Sequence, residues 1–145
     1  MDSPPDTPSR AAHLQGSLLG LVFLGGALGT AGRAALASWG HRPPGGWPWA
    51  TLGVNLLGVA LLAALLEALG LLGVGRPHWR VLLGTGVLGG FTSYSAFAVE
   101  LVDLVNHGRW AMGLVYAAVS LVGGAVIALT IVGTAARSAR QGSAP

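Results

Sequence analysis

A chain of 145 residues that is 52% hydrophobic and 9% charged cannot cover a soluble surface, since soluble domains carry roughly 25% charged residues. The absence of cysteine removes disulfide frameworks, thiolate nucleophiles and cysteine metal sites. The eight basic residues, set against five acidic ones, are all arginines scattered singly at helix ends, a pattern for headgroup contact and not for nucleic acid.

The opening "MDSPPDTPSR" has no apolar periodicity and its early charges are acidic, so residues 1–15 read as a disordered polar tail without the basic start of a secretory signal. A membrane span needs about 20 predominantly apolar residues, and Gly16 to Ser38 is the first stretch that qualifies. It carries "GSLLG" (Gly16, Gly20) and "GGALG" (Gly25, Gly29). Both match the small-xxx-small spacing that lets helix backbones approach, either between subunits or inside one chain.

The second span is Trp49 to Gly73. Asn55 lies in it, a carboxamide whose donors and acceptor lipid cannot satisfy. It reads either as a bond to a neighbouring helix or as a donor lining a route. Thr51, Asn55 and Gly58 share one face at i, i+4 and i+7. Glu67, near the end of this span, is a carboxylate at membrane depth.

The third span, Val81 to Val105, contains "GTGVLGGFTSYSAFAVE". Gly86 and Gly90 repeat the small-residue spacing, while Gly89 and Gly90 followed by Thr92, Ser93 and Ser95 lower helix propensity and offer hydroxyls that compete for the backbone. A break here frees carbonyl oxygens that persist at depth only against protein, water or an ion. A hard cation such as Na⁺ suits such oxygens, and a glycine-softened helix with no ion fits the same residues. Tyr94 and Phe97, at i and i+3, face together, either as packing or with positive ring edges turned to an anion.

The fourth span, Trp110 to Ala135, presents Tyr116, Ser120 and Gly124 as a stripe at four-residue steps. Residues 136–145 form a short solvated tail with Arg137 and Arg140 at the headgroups. Residues 16–135 are therefore one all-α integral membrane domain of four transmembrane helices with a broken third helix. Arg10, Arg76, Arg80, Arg137 and Arg140 fall on the face of the termini, and Arg33, Arg42 and Arg109 on the other. This places the termini in the cytoplasm by a margin thin enough to permit insertion both ways.

The loops are too short to house a catalytic domain, and no nucleophile–base pair or metal-ligand cluster appears, which excludes an enzyme. Function must sit on polar groups within the bilayer. Four slender helices cannot surround a wet path alone, which implies self-association. A small proton-coupled multidrug transporter would need a carboxylate, usually in the first span, which has none; a structural membrane subunit is the other alternative.

"GGALGTAGR", "TLGVNLLG" and "GVLGGFTSYSAF", in order on the first three spans, resemble the Fluc (CrcB) fluoride channels. The resemblance runs from about Gly25 to Gly124. It implies an antiparallel, inverted dimer in the cell membrane, a homodimer or a heterodimer with an oppositely oriented paralogue. Such a channel exports fluoride passively and reduces its toxicity in the cytoplasm.

The same resemblance implies a central, structural Na⁺ at the dimer interface, held by the backbone carbonyls of Gly89 and Thr92. It implies a fluoride pathway with Asn55 as the pore asparagine, Tyr94 and Phe97 as the aromatic box with Ser95 between them, Tyr116 and Ser120 as the fourth-helix track, and Arg33 near a vestibule. Glu100 matches a glutamate just downstream. The family's usual Thr-Thr-Phe-Ser-Thr-Phe run reads "TSYSAF" here, and Gly124 stands where serine is common.

Overall fold

In a bilayer the backbone must satisfy its own hydrogen bonds, so long apolar runs become helices. The computed structural model describes residues 8–40, 42–71 and 77–142, and among the described residues it contains helices and no strand. Helix α1 is Pro8–Trp39 and α2 is Trp49–Leu71. The third span is assembled from α3 (Pro77–Trp79), a π-helical segment Arg80–Leu88, α4 (Gly89–Phe91) and α5 (Tyr94–Asn106). The fourth is α6, Trp110–Gly142. Four stretches are long and apolar enough to cross a membrane: Gln15–Ser38, Trp49–Gly70, Arg80–Asn106 and Trp110–Ser138.

Helix α1 begins ahead of its apolar stretch, inside the expected N-terminal tail. Pro8 suits the first helical position, where its missing N–H is no loss, and Ala11, Ala12, Leu14 and Gln15 are good helix formers. The first seven residues of that tail lie outside the described residues. Helix α6 likewise runs past Ala135 as far as Gly142, and residues 143–145 lie outside.

Helix α1 packs along the first half of the third span through glycines. A Cβ on Gly25 would come to 2.9 Å from the Gly86 Cα, and one on Gly90 would come to 3.0 Å from the Gly26 Cα. A Cβ on Gly29 would collide with the Val87 carbonyl oxygen. These small-residue motifs therefore interlock within one chain. Gly16 and Gly20, by contrast, have open space where a Cβ would stand.

The small core lies at the other side, where α2, α5 and α6 meet: Leu52, Leu104 and Tyr116 are buried, with Trp47, Phe97 and Leu101 packed around them. Helix α5 closes on Gly108, whose φ of +70° allows the paired bonds Gly108 N–H to Val105 O (2.9 Å) and Arg109 N–H to Leu104 O (2.8 Å). That reversal is a Schellman C-cap, and it returns the chain into α6 within a few residues.

Candidate ion pathway at the helix break

The glycines of the third span remain helical; the break falls just after them. Gly89 N–H bonds to the Gly84 carbonyl, five residues back, which is the wider π winding. Thr92 holds the end of this half by directing both its N–H and its hydroxyl to the Leu88 carbonyl, at 3.0 Å each. Its ψ is then 155°, and Ser93 follows at φ −145° and ψ 107°, both extended. Ser93 caps α5 by accepting the Ala96 N–H on Oγ at 3.1 Å, and its Oγ lies 3.2 Å from Ser95 Oγ.

Asn55 on α2 holds the opened backbone. Its Oδ1 accepts the Ser93 N–H at 2.9 Å and its Nδ2 donates to the Ser93 carbonyl at 3.2 Å. The carboxamide thus pairs with Ser93 as a neighbouring strand would. A primary amide has two N–H donors, so one remains beyond this pairing.

Beside the break lies a cavity of about 380 Å³, open to one side, whose lining includes Asn55, Thr92, Ser93, Tyr94, Phe97 and Ser120. Gly58 and Gly89 also border it. The Tyr94 and Phe97 rings are tilted at 38° with centroids 6.0 Å apart, and Tyr94 is 82% exposed. None of the residues bordering the cavity is acidic.

Other expected site residues stand elsewhere. Tyr116 does not border this cavity: it is fully buried, its ring 5.0 Å from that of Phe97, and its hydroxyl donates to Glu100 Oε2 at 2.8 Å. Thr51 donates to Glu100 Oε1 at 2.6 Å. The stripes on α2 and α6 therefore converge twice, with Thr51 and Tyr116 on Glu100, and with Asn55, Gly58 and Ser120 on the cavity. Gly124 is buried against Val59. Arg33 faces the other side of the break, its Nε 3.3 Å from the Gly90 carbonyl, in a smaller hollow of about 60 Å³ that it shares with Thr51 and Ser93. Ser95 is exposed and reaches the site through Ser93.

A charged clasp at the end of α5 was not anticipated. Arg42, in the loop after α1, bonds Asp103 Oδ2 at 2.9 Å and lies 4.0 Å from Glu100 Oε1. Asp103 Oδ2 also accepts the Gly45 N–H at 3.0 Å, Asp103 Oδ1 is 3.2 Å from His107 Nδ1, and Arg109 donates to the Gly45 carbonyl at 2.8 Å. The available signal was Asp103 itself, an acidic residue inside a span with arginines in both nearby loops. Among the described residues no group of three or more His, Cys, Asp or Glu side chains could hold a metal.

Comparison with known proteins agrees with this geometry. The profile of the family described as "CrcB-like protein, Camphor Resistance (CrcB)" matches residues 20–134. The chain is 45% identical over 119 residues to "Fluoride-specific ion channel FluC 1" of Cutibacterium acnes, covering 79% of this chain and 82% of that protein. It is 38% identical over 135 residues to the protein of the same name in Streptomyces coelicolor, covering 92% and 85%. For the one from Mycobacterium tuberculosis the identity is 42% over 107 residues, covering 71% and 78%. With the family profile and these relatives matching most of its length, and with four apolar spans, the chain is a multi-pass membrane protein that belongs to the CrcB family.

Proposed function

We propose that this chain forms a fluoride-selective channel that lets fluoride leave the cell down its gradient and so limits its toxicity in the cytoplasm. The observation that carries this reading is the cavity at the break, which offers N–H, O–H and ring-edge donors and has no carboxylate in its lining. A small, strongly hydrated anion enters a membrane only where donors at close range replace its water. The second Asn55 N–H, the hydroxyl of Ser120 and the edges of Tyr94 and Phe97 are such donors. Glu100 accepts from Thr51 and Tyr116 and does not border the cavity. Arg33 contributes positive charge on the far side of the break.

The complete pore requires a second subunit. The cavity is open on one side, and four slender helices do not close a route by themselves. The thin arginine asymmetry supports an oppositely oriented partner, either a second copy or a paralogue. A Na⁺ at the interface belongs to the same reading. Gly89 and Thr92 both border the open cavity, and the Ser93 N–H that a continuous helix would give to the Gly89 carbonyl goes to Asn55 instead. Their carbonyls would hold it, and when bound it supplies positive charge that lowers the cost of an anion nearby.

The experiment is fluoride efflux from liposomes containing the purified chain alone, read with a fluoride electrode. Passive fluoride release with little chloride release is expected. Equal chloride flux overturns the selectivity, and absence of any flux overturns the proposal for a self-sufficient channel. Protection of a fluoride-sensitive host against added fluoride tests the cellular role.

A further inference from the structure

We infer that Asn55 is a positioning residue for the cation-holding carbonyls as well as a lining residue of the anion path, with the two ends of its carboxamide dividing the roles. The inference rests on the proposed Na⁺ site. Its basis is the pairing of Oδ1 with the Ser93 N–H at 2.9 Å and of Nδ2 with the Ser93 carbonyl at 3.2 Å.

In an α-helix the N–H of residue i bonds to the carbonyl of residue i−4. For Ser93 that partner is the Gly89 carbonyl. With its N–H committed to Asn55 Oδ1, Ser93 cannot close this bond, and the backbone stays extended at Thr92 and Ser93. Nothing within the sequence from Gly89 to Ser93 forbids a continuous helix. It contains no proline, Gly89 and Gly90 are already helical, and no residue here has a positive φ. Ser93 Oγ caps α5 from within the segment, and the acceptor that takes the Ser93 N–H itself comes from α2. The oxygen end of Asn55 therefore keeps the Gly89 carbonyl available to a cation, while the nitrogen end keeps one N–H beyond its bond to Ser93 for an anion in the cavity.

The two ends separate by substitution. Asn55→Asp retains an oxygen that accepts the Ser93 N–H and loses the N–H donors. Asn55→Ala loses both. Melting of the full chain in lipid nanodiscs is measured across a Na⁺ series at constant ionic strength, beside fluoride efflux. The parent is expected to melt higher in Na⁺, and Asn55→Asp to keep that dependence while losing fluoride flux. Asn55→Ala is expected to need about two- to twelve-fold more Na⁺ for the half-maximal shift, because one helical hydrogen bond must first be broken to free the carbonyl. An unchanged Na⁺ midpoint in Asn55→Ala overturns the positioning role.

Residue-resolved amide exchange on the parent tests the clasp without any variant. Slow exchange at Ser93 beside fast exchange at Tyr94 and Ser95, the uncapped first amides of α5, supports it. Equally slow exchange at all three shows a continuous helix, and equally fast exchange shows no bond to Asn55; either overturns it. If the exchange pattern holds but the parent ignores Na⁺, the cation reading fails and with it the positioning role, while the Asn55–Ser93 clasp stands.

Discussion

Tyr116 has no exposed surface and donates its hydroxyl to Glu100 Oε2 over 2.8 Å, so its side chain meets protein on every side. Its ring supports Phe97 at 5.0 Å and meets Trp47 edge-on at 5.9 Å. Tyr116→Phe retains this packing and removes one bond to a carboxylate, which is worth about 1.5–3 kcal/mol. The expected result is a loss of that size in chemical unfolding in mixed micelles. Unfolding at the parental midpoint would mean that Glu100 finds another donor.

The aromatic pair makes a second test. Tyr94 is 82% exposed, so Tyr94→Phe keeps the ring edge and is expected to leave fluoride efflux near the parental rate. Phe97→Ile keeps bulk but removes an edge. Loss of that edge from the path is expected to slow fluoride efflux severalfold. Initial rates at matched protein density distinguish the variants. If Phe97→Ile conducts like the parent, the pair is packing.

Asp103 fastens the first loop to α5 through Arg42 and the Gly45 N–H. Asp103→Asn is expected to loosen residues 42–46, read as faster amide exchange there, with little change at the helix break. Removing the partner instead, by Arg42→Gln, should give the same exchange pattern. Divergent patterns would show that the two residues do not act as a pair.

The glycine interlock separates positions that look alike. Gly29→Ala places a methyl against the Val87 carbonyl and 2.8 Å from the Phe91 N, and overpacking of this kind costs about 1–3 kcal/mol. Gly16→Ala meets nothing within 4 Å, and it gains up to about 1 kcal/mol of helix propensity. Melting temperatures of the two variants should therefore move in opposite directions from the parent.

The four spans were legible because hydropathy over twenty residues is a one-dimensional signal, and the break was legible from Gly89, Gly90, Thr92 and Ser93. Its placement at Thr92–Ser93 was not, since the competing acceptor, Asn55, is 38 residues away. The inward face of α6 was equally hidden. The four-residue step groups Tyr116, Ser120 and Gly124 on one side but does not say what each meets, so it does not reveal that Tyr116 turns to Glu100 and Ser120 to the cavity. The Arg42–Asp103 clasp joins a loop to a helix end, a pairing that no periodicity encodes.

The glycine contacts between α1 and the π-helical segment have a mechanical consequence. Backbones that meet without intervening side chains have no slack, so α1 and the first half of the third span must travel as one piece. Helix α5, fixed to α6 through the core and to the first loop through Asp103, belongs to another. The seam between the two pieces passes through the extended residues Thr92 and Ser93, and Asn55 stitches across it from α2. A displacement of one piece against the other therefore bears on two extended backbone units and on the side chain that bonds them.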